Sequence, residues 1–194
     1  MTVSTRVEDR SAIADLMTGW IHRDLGEWEQ LGELFHPDGT IEISWFEGPA
    51  GEFVAASARM GASYLRSKHQ IGGPSITFNG DRALVETSSM LIGENVALDL
   101  GFTAHNRFWD RVEKRDGDWR IVHRASVYDM SSFNFLAKVQ DIDESTVRRH
   151  PREYAALAYV LEKSGYPVAR EFPTRNSELE ARMKAAGRAW LDEA

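Results

Sequence analysis

Ile76-Thr77-Phe78-Asn79-Gly80-Asp81-Arg82-Ala83-Leu84-Val85 sets the architecture of this chain. An alternating apolar run meets Asn-Gly, a strong two-residue hairpin signal, and a second run rich in strand-forming residues follows. The same pattern continues toward the C-terminus. Ala83 to Leu91 reads as a strand and Gly93-Glu94-Asn95 as a turn. A long strand runs from Ala97 to Glu113, Arg115-Asp116-Gly117 turns it, and Trp119 to Met130 is the last strand. From about Lys68 onward the chain therefore reads as an antiparallel meander.

Before the meander the period is helical. Thr5-Arg6-Val7-Glu8 has the form of a capping box, and Ile13, Leu16, Met17, Trp20 and Ile21 make one apolar stripe that should end at Gly26. A second helix is expected from Glu27 to Phe35, broken by His36-Pro37-Asp38-Gly39. Ile41, Ile43 and Trp45 alternate as a short strand, Gly48-Pro49-Ala50-Gly51 reads as a loop, and Glu52 to Tyr64 as a short helix. Helices first and strands afterwards argue for an α+β fold. After Ser131 two more helices are expected, His150 to Lys163 and Ser177 to Trp190. About sixty residues in two helices form a poor core of their own. The division expected is thus one domain over residues 1–132 and a helical extension over 133–194, covering a pocket mouth or a neighbouring subunit.

Composition narrows the function. The 194 residues carry 23 Lys+Arg against 30 Asp+Glu, a net charge of −7, which disfavours nucleic acid and anionic membranes as partners. With no cysteine, disulfides, thiolate nucleophiles and cysteine metal sites are excluded. No run is apolar enough to span a membrane and no signal peptide is evident, so a cytoplasmic protein is expected. His22, His36, His123 and His150 show no metal-ligand spacing.

Asp24 and His69 are the residues most suited to chemistry. Asp24 follows Ile21, Trp20 and Met17 by three, four and seven residues and so extends the apolar stripe. Either the helix frays at Leu25-Gly26 and lets the carboxylate reach water, or a buried partner meets it, because an unpaired carboxylate in a core is costly. His69 stands at the start of a strand in Lys68-His69-Gln70-Ile71-Gly72-Gly73. Histidine suits proton transfer near neutrality, though a lone one is more often a hydrogen-bonded structural residue.

Those two residues, with Trp28-Glu29-Gln30-Leu31 after Asp24 and the Arg115-Asp116-Gly117-Asp118-Trp119-Arg120-Ile121 turn, carry a resemblance. Over about residues 7 to 132 the chain resembles the SnoaL-like branch of the NTF2-like superfamily, and within it the scytalone dehydratases and hexachlorocyclohexane dehydrochlorinases. The resemblance implies a cone: a curved antiparallel sheet wrapped around helices, with a deep pocket. It implies that His69 removes a proton from carbon, that Asp24 orients it, and that neither metal nor organic cofactor takes part. It places Arg124, Asn106, Phe108 and Tyr128 at the substrate; by position alone Trp20, one turn from Asp24, and Trp45, at the end of a strand, would wall an apolar pocket or pack the core. Asn106 and Phe108 would face the pocket, while His105 and Arg107 would face out. There are departures: the dehydratase's second histidine has no counterpart near Ile92-Gly93, its pocket tyrosine is here Arg23, and the dehydrochlorinase lysine is missing near Gly19-Trp20.

The function expected is a cofactor-free lyase acting on a small apolar cyclic or aromatic molecule, in a homodimer or homotrimer. The same dyad would also start an isomerisation or a cyclisation. A dioxygenase small subunit or a ligand-binding protein without turnover are the non-catalytic alternatives. On those readings Arg124 is an ion-paired structural residue and Trp45 packs the core.

Overall fold

The computed structural model describes residues 6–193. Six strands form one curved open sheet: β1 (Phe35–Ile43), β2 (Phe46–Pro49), β3 (Leu65–Asn79), β4 (Arg82–Asn95), β5 (Leu100–Arg115) and β6 (Asp118–Asn134). Their spatial order is β2-β1-β6-β5-β4-β3. Neighbours are antiparallel except β1 and β6, which run parallel. The α+β cone expected from the sequence is the fold of this chain.

The two hairpin signals act as the chemistry of their residues dictates. Asp116 and Gly117 both take positive φ between β5 and β6, the conformation of a type I′ turn. At the other hairpin Asn79 pairs with Arg82, so the loop is Gly80-Asp81 and not Asn79-Gly80, with Gly80 at φ 54°. Gly93-Glu94-Asn95 is not a turn but the end of β4. A Cβ on Gly93 would lie 2.5 Å from the Phe102 ring, so this glycine makes room for an aromatic on the neighbouring strand. The chain turns at residues 96–99 instead.

Elements α1 (Val7–Thr18), α2 (Ile21–Leu25), α3 (Trp28–Glu33) and α4 (Ala50–Gly61) fill the concave side. Thr5 of the expected capping box lies outside the described residues. The single N-terminal helix expected is instead two, broken at Gly19-Trp20, where Trp20, His22 and Arg23 make tight i→i−3 bonds. Glycine is a poor helix former, and a Cβ there would strike Leu34 at 2.6 Å. The break rotates Ile21 out of the stripe into solvent, whereas Ile13, Leu16, Met17 and Trp20 are buried. Gly26, at φ 73°, ends α2 as expected, its amide bonding His22 O.

The next helix stops at Glu33, because Phe35 already belongs to β1. His36-Pro37-Asp38-Gly39 breaks the pairing and not the helix: Phe35 pairs with Ile121 and Thr40 with His123, so residues 36–39 bulge from the strand. Gly48-Pro49 likewise belongs to β2, hairpinned onto β1, and α4 starts at Ala50. Trp45 sits in the turn between these strands and does not end one.

Three apolar clusters tie the layers together. Ile13, Met17, Trp20, Leu31, Ile41, Phe53, Val85, Val112 and Ile121 form the first, between the helices and the concave face. The second lies beneath α6 (Ala155–Lys163), whose Leu157, Val160 and Leu161 pack with Phe102, Ala104 and Tyr128. This helix begins later than His150, because Pro151 and the turn after it interrupt the helical run. A four-residue α5 (Glu144–Val147) precedes it, capped by Asp143. The third cluster is on the convex face, where α7 (Glu178–Asp192) sets Leu191 against Leu84 and Trp109. Arg107 on that face bonds Asp129, Glu86 and Glu180, which anchors α7 to the sheet. No helix among the described residues is long and apolar enough to cross a membrane.

Candidate active site

Asp24, at the end of α2, meets His69, early in β3, across 45 residues of sequence. His69 Nδ1 and Asp24 Oδ1 are 2.7 Å apart, and the His69 backbone N–H donates to Asp24 Oδ2 at 2.6 Å. The carboxylate is therefore held by two donors from one residue, and the ring is fixed relative to its own backbone. Both side chains are almost fully enclosed, at 6 % and 7 % exposure. The Trp20 ring meets the imidazole edge-on at 5.9 Å.

The charges follow from this packing. Burial pushes the His69 imidazole below its ordinary value of 6.5, and the bond to Asp24 opposes this only in part. Burial also works to raise the Asp24 carboxyl, but the hydrogen bonds from His69 outweigh it and hold the group below its ordinary range. An ionised Asp24 accepts from Nδ1–H, so the neutral imidazole carries its proton on Nδ1 and leaves Nε2 as an acceptor. Nε2 makes no hydrogen bond to any described residue.

A group with a depressed folded-state value contributes stability above its unfolded value and loses it as pH falls through the folded one. For His69 that loss begins below 6.5. The His69 ring protons, followed by NMR, should titrate with a midpoint under 6.5, and melting temperature should start to fall in the same window. A midpoint above 6.5 would contradict this charge assignment.

His69 borders an inner chamber of about 40 Å³ that is also lined by Trp20, Ile43, Trp45, Asn106, Phe108 and Tyr128. The volume is small, on the scale of a water molecule or two. Asn106 and Tyr128 sit on facing strands and supply polar groups: Asn106 Nδ2 donates to Ser126 Oγ at 3.1 Å, and the Ser44 amide donates to Tyr128 Oη at 3.0 Å. Burial raises the Tyr128 phenol above its ordinary value, so it stays protonated and keeps an O–H to donate.

Outside the chamber lies a cleft of about 270 Å³, walled by Trp28, Met60, Leu65, Phe102 and Leu161 among others. Arg23, Trp45, Leu91 and Leu157 border both spaces and form the neck between them. Sequence reasoning missed Leu91 and Leu157. The second comes from α6, and no local pattern announces that a helix so far along the chain closes the pocket.

Arg124 occupies a different place from the other candidates. Its guanidinium is entirely buried and forms a fork with Asp110, Nε to Oδ1 and Nη2 to Oδ2, both at 2.8 Å. It lies over the Trp20 and Phe108 rings, 4.5 and 4.2 Å from their centroids, on cation–π terms. It borders neither the chamber nor the cleft, so the two aromatic rings and not Arg124 face that space. Asp110 stands opposite Arg124 in the β5–β6 register.

The match to known families spans most of the sheet and the helices that carry these residues: the SnoaL-like domain matches residues 5–125. The chain belongs to the SnoaL-like family. Among curated relatives, pea pathogenicity protein 2 of Fusarium vanettenii is 27 % identical over 95 % of this chain and 86 % of its own. Two solved structures share the cone at lower identity. One is a protein of Novosphingobium aromaticivorans provisionally named scytalone dehydratase, 19 % identical, with a TM-score of 0.61 over 72 % of this chain and 100 % of its own. The other is a hexachlorocyclohexane dehydrochlorinase, LinA type 2, 20 % identical, with a TM-score of 0.60 over 73 % of this chain and 98 % of its own. Both solved chains are covered almost completely while more than a quarter of this one lies outside the match. The fungal relative aligns along nearly all of it.

Proposed function

We propose that this SnoaL-like protein is a cofactor-independent lyase of the dehydratase type, acting on a small apolar cyclic or aromatic molecule. The reading rests on one observation, the doubly bonded Asp24–His69 pair at the wall of a chamber that holds Asn106 and Tyr128. His69 Nε2 takes a proton from a carbon beside a carbonyl. Asn106 and Tyr128 donate hydrogen bonds to the oxygen on which charge gathers. The C–O bond to the leaving hydroxyl then breaks, and the imidazolium returns its proton to that hydroxide, so water departs and the imidazole is neutral again. Apolar walls at Trp20, Phe108 and Ile43 exclude solvent water from the carbanion-like state.

The test is a panel of cyclic β-hydroxy ketones incubated in D₂O, with mass spectrometry following both water loss and deuterium uptake. Wild-type protein should eliminate water from at least one member. His69→Gln, a variant that keeps a hydrogen-bonding side chain, should lower that rate by about 10²–10⁴-fold. Deuterium uptake without water loss would move the assignment to an isomerase. Neither process across the panel, or a His69→Gln protein of undiminished rate, would overturn the base role.

A further inference from the structure

Arg23 is the charged residue of the neck, and it makes no hydrogen bond to Asp24 or His69. Its side chain reaches from α2 across the boundary between cleft and chamber, and no carboxylate among the described residues bonds it. Asp24, next in sequence, has both oxygens committed to His69. The contacts Arg23 does make are modest. Nη1 donates to Ser67 Oγ at 3.0 Å, Nη2 approaches Met60 Sδ at 3.6 Å, and Nε is enclosed with no acceptor. The Trp45 ring centroid is 5.7 Å away. Two other enclosed arginines are neutralised, Arg124 by Asp110 and Arg107 by Asp129, Glu86 and Glu180, whereas Arg111 shares with Arg23 an enclosed Nε without an acceptor but borders neither cleft nor chamber.

The guanidinium is half-buried, its Nε enclosed and its Nη1 edge reaching the surface. A partly desolvated charge without a counter-ion gains when an anion arrives to pair with it. Burial draws the Arg23 value down to about 10, an effect only partly offset by Asp24, which leaves the group fully charged at neutral pH. The surroundings define the visitor. Trp28, Trp45, Met60, Leu65, Leu91 and Leu157 offer an apolar bed, and no other cation borders the chamber. At the cleft's edge Arg66 is engaged with the carbonyls of Ser63 and Leu65. Planar N–H donors beside an apolar bed suit a planar anion carried on a ring.

We propose that Arg23 selects the substrate, by receiving the carboxylate of a small cyclic or aromatic acid whose ring reaches through the neck toward His69. The proposal rests on reading cleft and chamber as one substrate site and adds the substrate's charge to that reading.

Binding tests it without any need for turnover. Cyclohexanecarboxylate, benzoate and 2-naphthoate, each against its primary amide, are titrated into the full-length protein at neutral pH. Calorimetry gives the affinity, and quenching of tryptophan fluorescence reports on Trp28 and Trp45. Wild type should bind at least one acid about 10-fold or more tighter than its amide. Arg23→Gln should weaken the acid by about 10- to 100-fold and leave the amide within about twofold. Arg23→Lys, which keeps charge but not the planar fork, should recover part of the preference, and it serves equally if Arg23→Gln does not fold. His69→Gln should keep the preference for acids. A wild-type protein that prefers acids but neither eliminates water nor exchanges deuterium would therefore fault only the lyase reading, while one that turns over its substrate without any preference for acids would fault only the Arg23 proposal. Equal binding of acid and amide by wild type, no binding of either at millimolar concentration, or an Arg23→Gln protein that still prefers acids would each overturn the proposal.

Discussion

Asp24→Asn is expected to cut the rate of the proposed reaction by about 10³–10⁴-fold while the protein stays folded, and the reason is a tautomer. Asp24 accepts two N–H donors from His69, one from the backbone and one from Nδ1. An asparagine has a single oxygen to offer. The backbone N–H cannot change its character, so the amide oxygen goes there and the NH₂ group turns toward Nδ1. To avoid two donors facing each other, Nδ1 gives up its proton and Nε2 takes one. The ring then presents a donor to the chamber where an acceptor is needed. Nitrogen-15 NMR reads this directly and without substrate: the protonated ring nitrogen should be Nδ1 in wild type and Nε2 in Asp24→Asn. A variant that keeps the Nδ1–H form and full rate would remove Asp24 from the mechanism.

Asp110→Ala should destabilise the protein by about 3–5 kcal/mol, because it strands the Arg124 charge in a site with no access to water. For a chain of this length that is a fall in melting temperature of roughly 10 °C. The paired change Asp110→Leu with Arg124→Met should recover most of the loss, since apolar groups of similar size replace both charges together. Calorimetric melting of the single and double variants checks this. The double variant also decides what the pair does for the site. Since Trp20 and Phe108 lie between Arg124 and the chamber, a stable double variant should keep the Asp24–His69 bond but shift the two rings. If the single variant melts with wild type, the pair contributes nothing.

The parts of this molecule that were legible in the sequence are those fixed by local rules. Asp116-Gly117 needs positive φ at both positions, and the residues say so. The helical period singled out Asp24 by a stripe that the break at Gly19-Trp20 in fact interrupts, and the meander placed His69 early in a strand. Boundaries failed where a tertiary contact outweighed the local pattern. Gly19 yields to Leu34 and splits a helix, Gly93 yields to Phe102 and extends a strand, and the His36–Gly39 signal is absorbed as a bulge. Asp110 as the partner of Arg124 was hidden for another reason. Their meeting depends on the β5–β6 register, which shifts twice along the pair of strands, at His105/Asn106 and at Arg111/Val112. Arg23 was noticed only as a departure from a tyrosine. Nothing in one sequence says that an arginine beside an aspartate lacks an acid to bond.

Helix α6 has a consequence for how the site can change over time. Leu157 and Leu161 line the space that a substrate would occupy, yet they lie well beyond residue 125, where the SnoaL-like match stops. The Asp24–His69 pair and one wall of the cavity are thus written in separate stretches of the gene. A recombination or splice that replaced the C-terminal stretch would reshape that wall in a single event, with Asp24 and His69 carried through unaltered.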